Sequence, residues 1–302
     1  MTMSVRRLGG DDQRGRAVWR SSRLLYMLLA GAVVALVLLL LWQGGVFMAL
    51  RLRLNDIYYA PAPTSGTVVI IAADDRSLQR YGRTPSDWSR TVYADLAEVM
   101  MGAGARVLAL DLLLSEPEAD DTLVAEAFSR LRQSESRTRL VLADAGVNTL
   151  QTGAGQRVLP FALSLNVTPQ IAAVIDYRGY TNAIPDIDSV IRRHPSLVNI
   201  NGEIRYSFSI AAYLAYLRIP SAAAAQLVTL ESDELLVTPE RRVPVDEWGL
   251  WQPYYYAPPA QATNGAYTVV SLVDVLDGAV DPTIFNDKIV LVGLMNTTGG
   301  LD

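Results

Sequence analysis

The stretch from Leu24 to Leu41 reads LLYMLLAGAVVALVLLLL, carries no charged side chain and ends against Trp42-Gln43. A helix rises ~1.5 Å per residue and a bilayer core is ~30 Å thick, so a run of this length just spans it. In lipid such a segment must be helical, because only then are its backbone polar groups satisfied internally. A cleaved signal peptide shares the basic-then-apolar order. Here the apolar run is longer than a usual signal core, and no small-x-small cleavage site follows, since Gly44-Gly45-Val46-Phe47 continues apolar. The reading is an uncleaved, single-pass membrane anchor. Arg6, Arg7, Arg14, Arg16, Arg20 and Arg23 all precede it, whereas the only lysine is Lys288. Arginines flanking a span stay cytoplasmic. The N-terminus is therefore expected in the cytoplasm, and residues from about Arg51 onward in the periplasm or outside the cell.

The remaining ~250 residues suffice for one large or two small domains. The net charge of the 302 residues is −5, and the arginines of the tail make the outer part more acidic still. That excludes a nucleic-acid partner, which requires a basic face to neutralise phosphates. There is no cysteine, which removes disulfides, thiol catalysis and Cys-zinc sites together. The only histidine is His194, so a His-rich metal site is excluded and any Ser-His-Asp triad must use that residue. His194 sits before Pro195 in a charged stretch and reads as a solvated surface side chain.

Composition and spacing divide the chain into a disordered basic tail (1–23), the span (24–45), a juxtamembrane stalk (46–63) and one outer domain (64–302). Pro61 and Pro63 stop the stalk helix. Thr67 to Ala73 is a strand apolar on both faces, as in parallel sheets, and it ends in Asp74-Asp75. A helix follows through Val92, Tyr93, Leu96, Val99 and Met100, capped by Ser89 or Asp87 and ended by Gly102-Ala-Gly104. Arg106 to Leu114 is the second strand, with Asp111 in its second half. Asp120-Asp121 opens a helix whose buried face is Leu123, Val124, Ala127, Phe128 and Leu131. Arg139 to Ala143 is the third strand and ends at Asp144. This alternation implies right-handed crossovers and a parallel sheet.

Residues 146–169 read as loop, and Ile171 to Ile175 as a short strand. Leu197–Ile200 pairs with Ile204–Tyr206 across Asn201-Gly202, the strongest short hairpin signal. A helix from Ser209 to Leu217 stops at Pro220. Leu235–Val237 with Val243–Val245 forms a second hairpin, and Leu250 to Ala257 a further strand. Ser271-Leu-Val-Asp274 caps a short helix closed by Gly278. Lys288 to Gly293 is a last buried strand. The fold class expected is α/β: a mainly parallel sheet flanked by helices with β-hairpin insertions, preceded by one transmembrane helix.

Four stretches, in this order, resemble the CHASE2 family of extracytoplasmic sensor domains, over about Arg51 to Asp302. They are Val68-Val-Ile-Ile-Ala-Ala-Asp74-Asp75-Arg-Ser77-Leu78 with Gly82-Arg83; Val107-Leu-Ala-Leu-Asp111; Asp186-Ile-Asp188 with Arg192-Arg193 and then Tyr206-Ser207-Phe208-Ser209; and Lys288-Ile-Val-Leu-Val-Gly293 with Gly299-Gly300-Leu301-Asp302. Two positions depart from the family pattern. A Trp-Pro-Trp-like run is here Thr84-Pro85-Ser86-Asp87-Trp88, and the usual glycine after the central acidic pair is Ser189. The resemblance implies the input module of a membrane-bound signalling protein, with a nucleotide cyclase, histidine kinase, diguanylate cyclase or Ser/Thr kinase as output. The chain reaches Asp302 without a second anchor or an effector, so it reads as a fragment or truncated product.

Asp74, Asp75, Asp111 and Asp144 fall at the carboxyl ends of the expected parallel strands, the edge where open α/β sheets bind ligands. Gathered carboxylates there suit a hard cation such as Mg²⁺ or Ca²⁺, or a cationic ligand. The plainer role for each is a helix or turn cap. Asp186, Asp188 and Arg192, with Arg193, mix charges within eight positions. Arg192 has the planar fork that holds a ligand carboxylate, and the plainer reading is an internal ion-pair network shaping a turn. No catalytic residues are assigned and no cofactor or metal is named. The partners expected are the membrane, an unknown extracellular ligand or protein, and a second copy of the chain in a homodimer. Against the sensor stand a metal-dependent hydrolase using the Asp cluster and a ligand-free structural dimerisation module.

Overall fold

A computed structural model describes residues 11–85, 88–150, 156–256 and 265–295. They fall into two units, one up to Tyr58 and one from Tyr59.

In the first unit, helix α1 (Asp11–Gln43) takes in the apolar run. Its stretch Leu25–Gln43 is long and apolar enough to cross a membrane. Gly45, at φ 71, breaks the helix before α2 (Val46–Asp56). The stalk helix is thus separate, because Gly44-Gly45 links the two and Gly45 takes the left-handed conformation, which glycine adopts without a Cβ clash.

The second unit alternates strands and helices. In chain order it begins with β1 (Val68–Ala73), α3 (Asp75–Tyr81), α4 (Thr91–Ala103), β2 (Val107–Leu110), α5 (Asp121–Gln133) and β3 (Arg139–Thr149). Next come β4 (Leu159–Leu165), α6 (Pro169–Ala172), β5 (Tyr177–Tyr180), β6 (His194–Pro195), β7 (Leu197–Ile200) and β8 (Glu203–Ser207). Helices α7 (Phe208–Tyr216) and α8 (Ser221–Leu227) precede β9 (Thr229–Leu230), β10 (Glu234–Thr238), β11 (Arg241–Pro244) and β12 (Leu250–Trp251). β13 (Thr268–Ser271), α9 (Leu272–Leu276) and β14 (Ile289–Leu294) complete it.

The architecture is mixed α/β. β13, β1, β14, β2 and β3 lie side by side, every pair parallel. Their side chains alternate between two cores, as a pleat of period two requires. Val69, Ile71, Leu108, Leu110, Leu140, Leu142, Val290 and Val292 face α4 and α5. Val107, Ala109, Val141 and Ile289 face the other way, towards α7. Both faces are covered, which is why these strands read as unbroken apolar runs.

The other half of the sheet departs from the expected open layer. β3 outruns β2, and its overhang pairs antiparallel with β4 from Ala145 to Thr149. β4 pairs with β7, β7 with β8, β8 with β5, and β5 returns to β3. These five strands close on themselves, so they leave few unpaired edges. The β7–β8 hairpin turns at Asn201-Gly202 as expected, both at positive φ (50 and 86). Gly179 of β5 lies so close to α7 that a Cβ there would come within 2.6 Å of the Phe208 backbone.

Several expectations are corrected. Of the stretch 146–169 expected as loop, residues 146–149 are the end of β3 and 159–165 are β4, while 151–155 lie outside the described residues. Ile171 to Ile175 begins as helix α6, because Pro169 supplies a first helical residue that needs no amide. Leu123 is exposed and not on the buried face of α5. The strand expected over Leu250–Ala257 is two residues long among the described residues. At the start of α4 the capping position is Arg90, and Ser89 accepts the Thr91 amide at 3.3 Å; Asp87 lies outside the described residues. α3, β5, α8, β9 and β13 are short additions.

β14 lies between β1 and β2, and Val290 is fully buried. Val290→Asp would place an unpaired carboxylate there at a cost of several kcal/mol. Loss of cooperative thermal unfolding is expected, checked by circular dichroism melts. A variant melting near the wild-type temperature would contradict the central placement of this strand.

Candidate ligand site at the carboxyl edge

Because β1, β14, β2, β3, β5 and β8 all run the same way, their carboxyl ends share one edge. Asp74 follows β1, Asp111 follows β2, Thr181 and Asn182 follow β5, and Ser207 ends β8 where α7 begins. The sequence placed Asp111 inside its strand; it lies just past the end, with its amide donating to the Val292 carbonyl at 2.8 Å.

The structure does not gather the aspartates. Among the described residues, no group of three or more acidic or histidine side chains could hold a metal ion. Asp74, Asp111 and Asp144 therefore do not form one cation cluster among the described residues. Asp74 is the N-cap of α3. Its carboxylate accepts the Ser77 amide at 3.0 Å and the hydroxyls of Ser77 and Ser271 at 2.8 and 3.0 Å. Partial burial raises its pKa, but those hydrogen bonds and nearby Arg76 outweigh it, and the net shift is downward. The Ser271 hydroxyl turns to Asp74 and makes no cap to its own helix, contrary to the capping box expected for α9. Asp75 is exposed in the first turn of α3, where its charge favours the helix dipole.

Asp144 is not a strand end. It lies inside β3, fully buried, at the level where the closed strands begin. Ser164 donates to one carboxylate oxygen and the Arg205 Nε stands 3.4 Å from the other. The neutralising arginine is 61 residues away in sequence, so no local pattern reveals it.

Asp186, Asp188 and Arg192 form the internal network that was the plainer reading. Arg192 grips both oxygens of Asp188 at 2.7 and 2.9 Å and lies 3.3 Å from Asp186. Arg193 joins Asp186 at 2.6 Å to Asp246 at 2.9 Å. Arg192, Asp186 and Asp188 are each no more than 4% exposed at the side chain. Hydrogen bonds from Arg192 hold the Asp188 carboxyl down at about 2. Ser189 takes φ 63 within this turn, the left-handed region that explains why glycine is usual at the position.

His194 is half-buried, not solvated. It pairs with Trp251 between β6 and β12, ring centroids 6.2 Å apart, and burial lowers its pKa. Both residues wall a cavity of about 280 Å³ at the edge, together with Asp111, Thr181, Asn182 and Ser207. A second cavity of about 430 Å³ shares Asp111 and Thr181 and reaches Pro85, Tyr93 and Leu294. A third, of about 710 Å³, lies at the amino end of β5 beside Asp176, Arg178, Glu203 and Arg205. Its charges are already committed to one another: Asp176 to Arg132 and Arg139, Glu203 to Arg205. The edge is therefore the better candidate site. Sequence reading found Asp111 there but not His194, Trp251, Thr181 or Asn182; the Tyr206–Ser209 motif was the available pointer.

Segment 251–256 also reaches the start of this unit. Tyr59 donates to the Pro253 carbonyl at 3.4 Å and lies 5.5 and 5.6 Å from the Tyr254 and Tyr255 rings. Tyr254 donates to the Ala60 carbonyl and Tyr255 to the Ile191 carbonyl, at 2.7 and 2.6 Å. Tyr59, Tyr254 and Tyr255 together form a clasp.

A family model described as CHASE2 domain matches residues 32–301. No curated protein and no solved structure matches the chain.

Two stability predictions follow from this geometry. Arg192→Met leaves Asp188 buried without its arginine, while Asp186 keeps Arg193, and stability should fall by about 3 kcal/mol. Asp188, held at about 2, contributes stability above its ordinary 3.8 that is lost as pH falls through about 2. Without Arg192 that loss should begin at higher pH, seen as an upward shift of the acid-unfolding midpoint. His194 has the same sign for a different reason: its folded pKa lies below 6.5, so the unfolded chain takes up the proton first. Stability should fall as pH drops below about 6.5, and His194→Gln should flatten that slope in melts between pH 7.5 and 5.

Proposed function

The chain belongs to the CHASE2 family, sensory domains of signalling proteins, and we propose that it is the extracytoplasmic input module of a membrane-bound signal transduction protein. The observation that carries this reading is the single family match from residue 32 to 301, which begins within the apolar helix and runs through the α/β unit. In this reading residues 1–23 are a cytoplasmic tail, 24–45 the span, 46–63 the stalk and 64–302 the sensor. Six arginines before the span support the cytoplasmic N-terminus. The chain has no catalytic activity of its own. Its output, a nucleotide cyclase or kinase as is typical of the family, belongs to a domain outside these 302 residues.

The proposed stimulus acts at the carboxyl edge, through the cavities that Asp111 and Thr181 share. An extracellular ligand there favours one position of the anchor over another, and the population shift is the signal. A homodimer is the arrangement in which two such anchors report their relative position. Asp111, exposed on the edge, is the ligand-facing residue of the original set. Asp74, Asp144, Asp186, Asp188 and Arg192 act behind it, holding the edge in shape.

Two measurements test this. Alkaline phosphatase fused after Asp302 should be active and a cytoplasmic reporter at the same point silent; the reverse result would invert the topology. Asp111→Asn should leave unfolding stability within about 0.5 kcal/mol of wild type, whereas Asp74→Ala should lose about 1 kcal/mol with its cap.

A further inference from the structure

Helix α2 follows the apolar stretch of α1 and has an apolar side of its own. At ~100° per residue, Val46, Phe47, Leu50, Leu54 and Ile57 fall within one arc about 100° wide. Ile57 belongs to it because the backbone is still helical there, at φ −65. All five side chains are exposed, from Phe47 at 42% to Ile57 at 75%. Arg51 and Arg53, also exposed, stand at the two borders of the arc. Asn55 and Asp56 lie on the opposite side, with Met48 and Leu52. Five large apolar side chains in register are a surface that something covers.

The position of α2 says what covers it. Leu25–Gln43 is 19 residues long. As a helix that is about 28 Å, which fills the hydrocarbon core by itself. Trp42, at its end, is 74% exposed, and tryptophan is enriched where membrane meets water. Val46 follows Gln43 by three residues, a reach of at most ~10 Å. The headgroup layer on each side is ~5–8 Å deep, so α2 begins at the membrane surface. The chain does not extend the span. Gly45 takes φ 71, and a Cβ on Gly44 would come within 3.1 Å of the Leu40 carbonyl, so the two glycines end α1 and start a new helix. An apolar arc bordered by arginine suits that level, because the long stem stays with the apolar side chains while the guanidinium reaches the phosphates.

We propose that α2 is an interfacial helix that lies on the leaflet at the carboxyl end of the span. Its apolar arc rests at the boundary of headgroups and acyl chains, with Arg51 at the level of the phosphates. The partner is the phospholipid surface itself. The inference rests on α1 as a membrane span, and on neither the topology nor the ligand reading.

The chain has no cysteine, so a nitroxide can be attached at one position at a time. The test uses Leu36→Cys, Phe47→Cys, Leu50→Cys, Leu54→Cys and Asn55→Cys of the full chain, in nanodiscs of phosphatidylcholine and phosphatidylglycerol. Power saturation compares exposure to oxygen, which partitions into lipid, with exposure to a nickel chelate, which stays in water. Labels on Phe47→Cys, Leu50→Cys and Leu54→Cys should favour oxygen, at ~5–10 Å into the headgroup–acyl boundary. The label on Asn55→Cys should favour nickel. Adding Arg51→Glu should shift the Leu50→Cys label towards nickel, and an unmoved label would overturn the arginine's part. Nickel preference along the arc overturns the proposal and leaves a solvated stalk. Shielding from both reagents overturns it in favour of a second copy or another protein on that side. Oxygen preference at Asn55→Cys equal to that of the arc overturns it in favour of a span that runs on through α2. Nickel preference at Leu36→Cys would overturn the span itself, which tells that failure apart from a failure of α2 alone.

Discussion

β3 is the strand on which both halves of the sheet depend. Its first residues pair with β2 and continue the parallel layer, while its overhang pairs with β4 and starts the closed half. One strand can serve both only because it is 11 residues long beside a neighbour of 4. The change of partner comes at Asp144, whose buried charge is met there by Arg205 and Ser164. A lone buried carboxylate at that level would be too costly to keep ionised. These side-chain contacts link β3 to β4 and β8, alongside the backbone pairings that close the five strands.

What the sequence showed plainly was the parallel layer. Runs such as Val68–Ala73 and Val107–Leu110 are apolar on both faces, and that pattern survives any uncertainty about neighbours. The Asn201-Gly202 hairpin was legible for the same reason: its signal is local. The closed half was not legible. β4 reads LPFALSL and carries a proline and a serine, so its apolar content alone does not mark a strand, and what fixes it is the edge that β3 offers. Residues 169–175 show the reverse failure, an apolar stretch with strand-like composition that Pro169 starts as a helix.

The candidate site divides along the same line. The carboxyl edge could be located from strand direction alone, and Asp111 is there. The aspartates could not be sorted by sequence, because a cap, an interior ion pair and an exposed edge residue are the same letter until long-range partners are known. Asp144 depends on Arg205, far away in the chain, whereas Asp74 caps α3 through Ser77, three residues on, and gains the distant Ser271 hydroxyl only in the fold. The central motif was the exception. Asp188 and Arg192 lie four residues apart, and the preferred reading of them as a turn-shaping pair is the one the geometry shows.

The tyrosine clasp gives the second unit an unusually short mechanical path. Trp251 walls the cavities, and two residues later the Pro253 carbonyl holds Tyr59, the first residue of that unit. Tyr254 then fixes Ala60, and Tyr255 fixes the loop at Ile191. Two peptide units have almost no slack in which to absorb a displacement. A shift of the cleft wall at Trp251 therefore has only two residues to cross before it meets the place where the chain enters the domain.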